Sequence, residues 1–139
     1  MAFYRSSSGG SGNGIKAMNI SVSSTYQSNI MQYMFDDDST TWWIANTETG
    51  SVYVENLEVA DVTTIIVRTG NFSNSNLNQT ITIFGSNTST SQNLTQLATI
   101  TTKYSDGDRN LTVSKYKYYV VQIAGSNAAF GSLTKLAFA

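Results

Sequence analysis

The chain has 139 residues, of which 40% are hydrophobic and 12% are charged, and its formal net charge is -1. This length fits one compact domain. Nucleic-acid binders carry a basic excess or a basic stripe, and the eight Lys and Arg residues are spread over the whole chain. No apolar run approaches the roughly 18 residues of a membrane span. We therefore expect neither a nucleic-acid partner nor a membrane span.

Two missing residue types exclude further classes of protein. The chain contains no His and no Cys, so Ser-His-Asp and Cys-His catalysis, ordinary zinc sites and disulfides are absent. The best carboxylate pair for a glycosidase is Asp106 with Asp108. Its context, SDGD, is that of an ordinary turn. We do not expect an enzyme.

The first 14 residues differ in composition from the rest. Residues 6–14 read SSSGGSGNG, and Phe3, Tyr4 and Arg5 precede them. A Gly/Ser-rich segment cannot bury enough apolar surface to order itself. We interpret residues 1–14 as a flexible arm, which is either a disordered leader or an anchor that packs on a neighbouring subunit. Residues 15–139 form the domain.

From Ile15 onward the dominant hydrophobic period is two, which is typical of β-strands. Turn-forming residues separate short β-branched or alternating stretches. The predicted strands cover Met18–Val22, Val52–Val59, Thr63–Thr69, Thr80–Ser86, Leu97–Thr102, Tyr116–Ala124 and Leu133–Phe138. Residues 28–35 have helix-like spacing, but only enough for a single turn. The pattern predicts an all-β fold, an antiparallel sandwich or jelly roll.

Three segments, in the correct order, resemble discoidin domains, also called coagulation-factor 5/8 type C domains. Residues 35–43 read FDDDSTTWW, which is similar to the family's Asp-Gly-Asp turn followed by Thr-aromatic-Trp. ITIFGSN at residues 81–87, with LATI at 97–100, looks like its strand and Gly-Ser-Asn turn. YYVVQI at residues 118–123 and the last strand match its final core strands. The resemblance implies a galactose-binding-like jelly roll that binds without catalysis, most often to glycans and sometimes to lipid head groups or proteins.

The same resemblance implies a possible metal site. Many carbohydrate-binding members hold a structural calcium ion between the Asp-rich turn and a Glu on the last strand. The candidate side-chain ligands here are Asp36, Asp38 and Thr41, whereas the Glu position is occupied by Lys135. Two alternatives follow: calcium binds, or Lys135 replaces the ion as a partner charge. The family's turn glycine is replaced by Asp37, which would have to adopt left-handed dihedrals.

The resemblance also implies a sugar site on loops at one end of the sandwich, where an aromatic ring stacks on the sugar and polar groups pair with hydroxyls. The matching residues are Arg68, Asn74, Asn76 and Phe130, with Tyr26 at the rim. Arg68 is equally well explained by a surface salt bridge, and Phe130 by a core position. Trp42 and Trp43 are adjacent and would point to opposite faces of a strand. We assign Trp43 to the core and Trp42 to ligand or subunit contact.

Two functions remain in view. The first is non-catalytic binding of cell-surface glycans, with weak sites made useful by multivalency. The second is a structural or assembly role, in which the sandwich edges and the arm contact other subunits, including copies of the same chain. The opening MAFYRSSSGG is similar to the start of small bacteriophage virion proteins. We therefore expect either a phage capsid or tail appendage that binds bacterial polysaccharide, or a protein of the bacterial surface.

Overall fold

The computed structural model describes residues 2–7, 15–57, 61–70, 77–125 and 130–139, with side chains from residue 18 onward. Ten strands and two short 3₁₀ turns, η1 and η2, make up the described secondary structure. In chain order they are β1 (Ala2–Ser7), β2 (Ile15–Val22), η1 (Met31–Met34), β3 (Trp43–Ile44), β4 (Thr49–Asn56), β5 (Thr64–Thr69), β6 (Gln79–Ser86), β7 (Thr95–Thr102), η2 (Tyr104–Asp106), β8 (Arg109–Thr112), β9 (Tyr118–Ala124) and β10 (Ser132–Phe138).

The strands form two antiparallel sheets. The larger sheet has the order β1-β2-β4-β9-β6-β7, and the smaller has the order β3-β10-β5-β8. Every strand pair is antiparallel. The predicted all-β sandwich is confirmed. None of the described helices has the length and apolar character that crossing a membrane requires.

Alternating side chains from both sheets fill the space between them. In β5, for example, Ile65 and Val67 are fully buried while Ile66 and Arg68 are half-buried. Trp43 is fully buried, as predicted, and its indole Nε1 donates to the Ser24 carbonyl oxygen at 3.0 Å. The polar atom of the buried Trp43 side chain therefore has a hydrogen-bond partner, as a buried indole N–H usually does.

The amino-terminal residues differ from the expected arm. Ala2–Ser7 forms β1 and pairs in antiparallel register with β2, from Ala2 opposite Ile20 to Ser7 opposite Ile15. Residues 8–14 of the expected arm lie outside the described residues. The Gly/Ser composition predicts a domain that begins at Ile15, whereas backbone pairing adds β1 to the larger sheet as one edge strand. Main-chain hydrogen bonds can add such a strand without a hydrophobic side-chain pattern.

Candidate functional site

Tyr26 and Phe130 meet at the end of the sandwich where the loops gather. Their ring centroids lie 5.2 Å apart with an interplanar angle of 70°, an edge-to-face arrangement. Both side chains are half-buried, and Phe130 therefore does not act as a core plug. An edge-to-face pair keeps each ring in a fixed orientation. We call these two rings the aromatic pair.

The loop that carries Tyr26 is fixed to β3 by backbone and side-chain hydrogen bonds. The Tyr26 N–H donates to the Ile44 carbonyl at 2.7 Å, and the Asn46 N–H donates to Ser24 Oγ at 2.9 Å. Gln27 has a φ of 54° and its Nε2 donates to the Tyr26 hydroxyl at 3.1 Å. The ring of Tyr26 is thereby held in place before any ligand arrives.

The segment that carries Phe130 rests on the neighbouring loop, residues 45–48. The Ala45 N–H donates to the Gly131 carbonyl at 2.8 Å, and the Gly131 N–H donates to the Thr47 carbonyl at 3.3 Å. Asn46, Thr47 and Glu48 are exposed. The segment that carries Phe130 therefore adjoins a loop with exposed amide, hydroxyl and carboxylate groups, which suit hydroxyl-rich ligands.

Arg68 was predicted to share the sugar site with Phe130, but its neighbour in the structure is Tyr104. The Arg68 guanidinium carbon lies 4.2 Å from the centroid of the Tyr104 ring, and its Nε donates to the Tyr104 carbonyl at 3.2 Å. The Tyr104 hydroxyl donates to the Ser39 carbonyl at 3.1 Å. The structure therefore joins Arg68 to an aromatic ring on the outer side of the smaller sheet, whereas it joins Phe130 to Tyr26.

Of the remaining predicted sugar-site residues, Trp42 is described by the structure, and Asn74 and Asn76 are not. Trp42 is half-buried, and its ring packs against Gly70, where a Cβ atom would come within 3.0 Å of the indole Cγ. Gly70 immediately precedes residues 71–76. Asn74 and Asn76 belong to that segment and lie outside the described residues.

A pocket of about 610 Å³ opens on the outer side of the smaller sheet. Its charged lining residues are Asp37, Asp38, Arg68, Asp108 and Lys135. Across it, Lys135 Nζ lies 2.9 Å from Asp108 Oδ2. Lys135 is therefore ion-paired with Asp108, not with the Asp-rich turn as the sequence alternative proposed.

The Asp-rich turn, residues 35–41, is closed by its own polar groups. Asp37 has a φ of 57°, the left-handed conformation that the missing glycine implied. The Asp38 N–H donates to Asp36 Oδ1 at 3.0 Å. Asp38 Oδ1 accepts from the Thr40 N–H at 2.9 Å and from the Thr40 hydroxyl at 2.6 Å. The hydroxyl bond, followed by the amide bond, lowers the pKa of Asp38.

Oxygen atoms converge between this turn and β10. Thr41 Oγ1 contacts Asp36 Oδ2 and lies 3.1 Å from the Asp38 carbonyl oxygen. Thr134 Oγ1 contacts the Thr41 carbonyl oxygen and lies 3.3 Å from the Asp38 carbonyl oxygen. Carboxylate, carbonyl and hydroxyl oxygens are the donor types that hard cations prefer, but here they bond to one another, and Asp38 turns its carboxylate to Thr40. Calcium at Asp36, Asp38 and Thr41 stays a prediction.

The predicted glycosidase pair has structural partners instead. Asp106 Oδ2 accepts from the Thr102 hydroxyl and the Lys103 N–H, both at 3.1 Å, and the Lys103 bond is the main reason that the pKa of Asp106 is lowered. Asp108 pairs with Lys135. Within the described ranges, no three His, Cys, Asp or Glu side chains are grouped to hold a metal.

The structure is similar to solved carbohydrate-binding modules. A pectin-binding module is 19% identical, with a TM-score of 0.70, over 86% of this chain and 88% of that one. The family 32 module of Clostridium perfringens NanJ, in complex with galactose, is 17% identical, with a TM-score of 0.68, over 87% and 92%. The chitosan-binding module 1 of a Paenibacillus chitosanase/glucanase is 23% identical, with a TM-score of 0.67, over 87% and 93%. The chain has the fold of these modules.

At these identities the likeness concerns the fold. Family 32 modules share the galactose-binding-like fold with discoidin domains, which agrees with the resemblance seen in the sequence. No protein-family profile matches the chain. No curated protein sequence matches it either.

Two features near these sites were not predicted from the sequence. The first is the contact between Tyr104, which belongs to a polar loop, and Arg68, 36 positions away, since it depends on how η2 packs on β5. The second is the hydroxyl of Thr134, which directly precedes Lys135 and is uncharged; the only sequence signal for it is its position beside the family's Glu.

Proposed function

We propose that the chain is a non-catalytic glycan-binding module whose primary sugar contact is the aromatic pair. The observation that supports this most directly is the edge-to-face contact of Tyr26 and Phe130 at the loop end of a carbohydrate-module fold. A half-exposed ring can cover the apolar face of a pyranose, while neighbouring polar groups take the hydroxyls.

The pair is organised before binding. Hydrogen bonds hold the Tyr26 loop on β3 and the Phe130 segment on residues 45–48. A preformed site loses little conformational entropy when the ligand binds. Its area is small, so each site binds weakly, and many copies displayed together are needed for tight attachment.

Arg68 and Trp42 extend the same proposal toward the smaller sheet, and Asn74 and Asn76, which lie outside the described residues, stay predictions from the sequence. Trp42 packs against Gly70, from which the segment with the two asparagines departs. We propose that a longer oligosaccharide leaves the aromatic pair in this direction. The variant Arg68→Ala tests this extension, because it should weaken the binding of an oligosaccharide more than that of a monosaccharide.

The experiment for the primary contact is a glycan array followed by calorimetry on the best ligand, with Tyr26→Ala and Phe130→Ala. Each variant should lower the affinity about tenfold, as expected for the loss of about 1.4 kcal/mol of ring contact. Phe84→Ala is the matched control, since Phe84 is also half-buried but lies on β6 of the larger sheet. Failure to bind any glycan, or equal losses in all three variants, would contradict the proposal.

We propose further that many copies of the chain are displayed on a phage particle or a bacterial surface, where they attach to bacterial polysaccharide. The support is the virion-like opening of the sequence together with the need for multivalency. Binding of the purified full chain to whole bacteria, and its loss after enzymatic removal of surface polysaccharide, tests this setting.

The second candidate function is assembly, and β1 favours it. Among the described residues this strand is the outermost of the larger sheet, and its one partner strand there is β2. An open strand edge can add a strand from another molecule. The variant Tyr4→Pro removes one backbone donor from β1. If the full chain self-associates through this edge, light scattering will show a smaller particle for the variant; an unchanged mass would contradict assembly through β1.

A further inference from the structure

We infer that the pocket on the outer side of the smaller sheet binds the carboxylate of an acidic sugar unit, a uronate, through the guanidinium of Arg68. The inference deepens the proposed function, because it rests on glycan binding for the molecule that carries the carboxylate. The resemblance to discoidin domains implied that Arg68 stands beside Phe130 and pairs with sugar hydroxyls. The structure gives Arg68 other neighbours, and the charges around it indicate a different ligand group.

The pocket has the size of a small-ligand site and a mixed lining. Its volume of about 610 Å³ lies within the roughly 300–1,000 Å³ of ordinary ligand pockets. Apolar surface comes from Met34, Phe35, Leu136 and Ala137, in addition to the charged residues named above. A sugar ring has an apolar face and a polar rim, so a lining of this kind suits a single sugar unit.

Two positively charged side chains lie next to each other at this pocket. Lys135 of β10 is opposite Arg68 of β5 in the antiparallel register, and both residues line the pocket. Like charges at such cross-strand positions repel each other. Asp108, which immediately precedes β8, neutralises one of them, because its Oδ2 lies 2.9 Å from Lys135 Nζ. The charge of Arg68 is not balanced by this pair.

Within the part of the chain that the structure describes, no ion pair joins Arg68 to a carboxylate. Its Nε donates to the Tyr104 carbonyl, and the guanidinium lies over the Tyr104 ring. The Tyr104 hydroxyl in turn donates to the Ser39 carbonyl. These contacts fix the plane of the half-buried guanidinium and use Nε, so that among the described residues its Nη groups remain as donors for a ligand. They form a planar fork that matches the oxygens of a carboxylate.

The carboxylates of the Asp-rich turn decide which anion fits. Asp37 and Asp38 also line the pocket, and both are exposed. They repel a ligand of high negative charge, such as a phosphate or a sulfated chain, but they can accept hydrogen bonds from sugar hydroxyls. A uronate matches both signs, because its carboxylate can meet Arg68 while its hydroxyls donate to the turn. An amino sugar would instead bring a further positive charge next to Arg68 and Lys135.

The first test is calorimetry on the full chain, at constant ionic strength, with oligosaccharides of galacturonate, glucuronate and mannuronate and with their uncharged methyl esters. In at least one series the acid should bind about tenfold more tightly than the ester. Arg68→Gln should remove that difference, and Arg68→Lys should restore only part of it, because an ammonium lacks the planar fork. No preference for the acid in any series, or tighter binding of a glucosamine oligosaccharide, would overturn the inference.

Arg109→Gln is the matched control for Arg68→Gln. Arg109 is also half-buried, but its Nη1 donates to Thr102 Oγ1 and lies 3.7 Å from Asp106 Oδ2. It does not line the pocket. The preference for the acid should therefore persist in Arg109→Gln, and its loss there would show that any reduction in positive charge has the same effect, which would also overturn the inference.

A further variant should bind the acid more tightly, so that a loss of stability cannot imitate its effect. Asp108→Asn frees the Lys135 ammonium, which can then join Arg68 on the carboxylate. It should strengthen the binding of the acid severalfold and leave the ester unchanged. Asp61→Asn changes the net charge equally, but Asp61 pairs with Lys115 and neither residue lines the pocket. No gain in Asp108→Asn, or an equal gain in Asp61→Asn, would overturn the inference.

The same measurements separate this inference from the proposed function. If Tyr26→Ala weakens the binding of the ester while Arg68→Gln affects acid and ester equally, glycans bind at the aromatic pair and the pocket does not select a carboxylate. If the acid binds through Arg68 while Tyr26→Ala and Phe130→Ala have no effect, the pocket is confirmed and the aromatic pair is not the primary contact. Absence of binding by every acid and ester would overturn both.

Discussion

The side-chain amide of Gln79 makes two hydrogen bonds to Ser132. Gln79 Nε2 donates to Ser132 Oγ at 3.0 Å, and Gln79 Oε1 accepts from the Ser132 N–H at 2.9 Å. Both residues are almost completely buried, and Ser132 Oγ also accepts from the Gly70 N–H at 3.2 Å. One amide of the larger sheet thus links the start of β10 to the residue that follows β5. Phe130 lies just before the first of these points, and residues 71–76 follow the second.

Gln79→Leu should therefore lower the free energy of unfolding by about 2–3 kcal/mol. The change removes both bonds and leaves the Ser132 N–H buried without its partner, which costs more than an exposed hydrogen bond contributes. Urea titration of the variant gives the value. Gln96→Leu, at an exposed position on β7, is the control and should change stability by less than about 0.5 kcal/mol. Similar losses in the two variants would contradict this account.

Whereas the buried amide of Gln79 is hydrogen-bonded, the buried hydroxyl of Thr69 is not hydrogen-bonded in the described structure, and we expect it to lower the stability of the fold. Thr69 is fully buried, and in the described structure its Oγ1 has no hydrogen-bond partner. Val has nearly the same shape, so Thr69→Val removes the desolvated hydroxyl without leaving a cavity. We expect stability to rise by about 1 kcal/mol, measured as a higher urea midpoint at an unchanged slope.

The matched comparison for Thr69 is Thr102→Val. Thr102 is also buried, but its hydroxyl donates to Asp106 Oδ2 and accepts from Arg109 Nη1. This substitution should lower stability by about 1–2 kcal/mol. If Thr69→Val were as destabilising as Thr102→Val, the Thr69 hydroxyl would have to be bonded in solution.

Gly50 is required by the packing of Trp43. A Cβ atom on Gly50 would overlap Ala45 Cβ and come within 3.0 Å of Trp43 Cη2. Neither neighbour can move freely, since the indole is fully buried and bonded to Ser24. Gly50→Ala should thus lower stability by about 1–3 kcal/mol and shift the tryptophan fluorescence.

Gly107→Ala is the comparison for Gly50→Ala, because it introduces backbone strain without steric overlap. Nothing lies within 4 Å of a Cβ atom at Gly107, but its φ is 75°. We expect a loss of about 1 kcal/mol from strain with no change in tryptophan fluorescence. A fluorescence change in Gly107→Ala, or none in Gly50→Ala, would argue against the assigned causes.

The sequence predicted the strands whose side chains alternate in burial, because that alternation is visible in the letters. β5, β6 and β10 are of this kind. β3 has only two residues, and β8 has a single buried side chain, Leu111, so neither leaves a periodic signal. β1 was hidden by the Gly/Ser composition next to it, since backbone pairing does not require an apolar pattern.

The candidate site was predictable in its residue types more than in its arrangement. Tyr26 and Phe130 were both proposed from the sequence, but their contact depends on how two loops 104 positions apart fold back on β3. Arg68 was placed correctly at a strand end, yet its partner Tyr104 comes from η2, which nothing local connects to β5. Long-range packing of this kind has no sequence period to reveal it.

The Asp-rich turn should respond to acid through Asp38. The Thr40 hydroxyl, then the Thr40 N–H, lower the pKa of Asp38 in the folded chain, so folding is favoured by the ionised carboxylate. For a lowered pKa, the stabilisation is complete above the unfolded value of about 4 and is lost as the pH falls through the folded value. Thr40→Val removes the hydroxyl bond and should bring the pKa of Asp38 back toward its ordinary value.

The melting temperature of Thr40→Val should therefore lie below that of the unmodified chain by a constant amount above about pH 5, and the gap should close as the pH approaches about 2. Thr99→Val serves as the control, because the Thr99 hydroxyl bonds to that of Thr82 in the part of the chain that the structure describes, and neither group titrates. Its effect should be independent of pH. A Thr40→Val gap that persists at about pH 2 would mean that the Thr40 hydroxyl stabilises the turn through something other than the ionised Asp38.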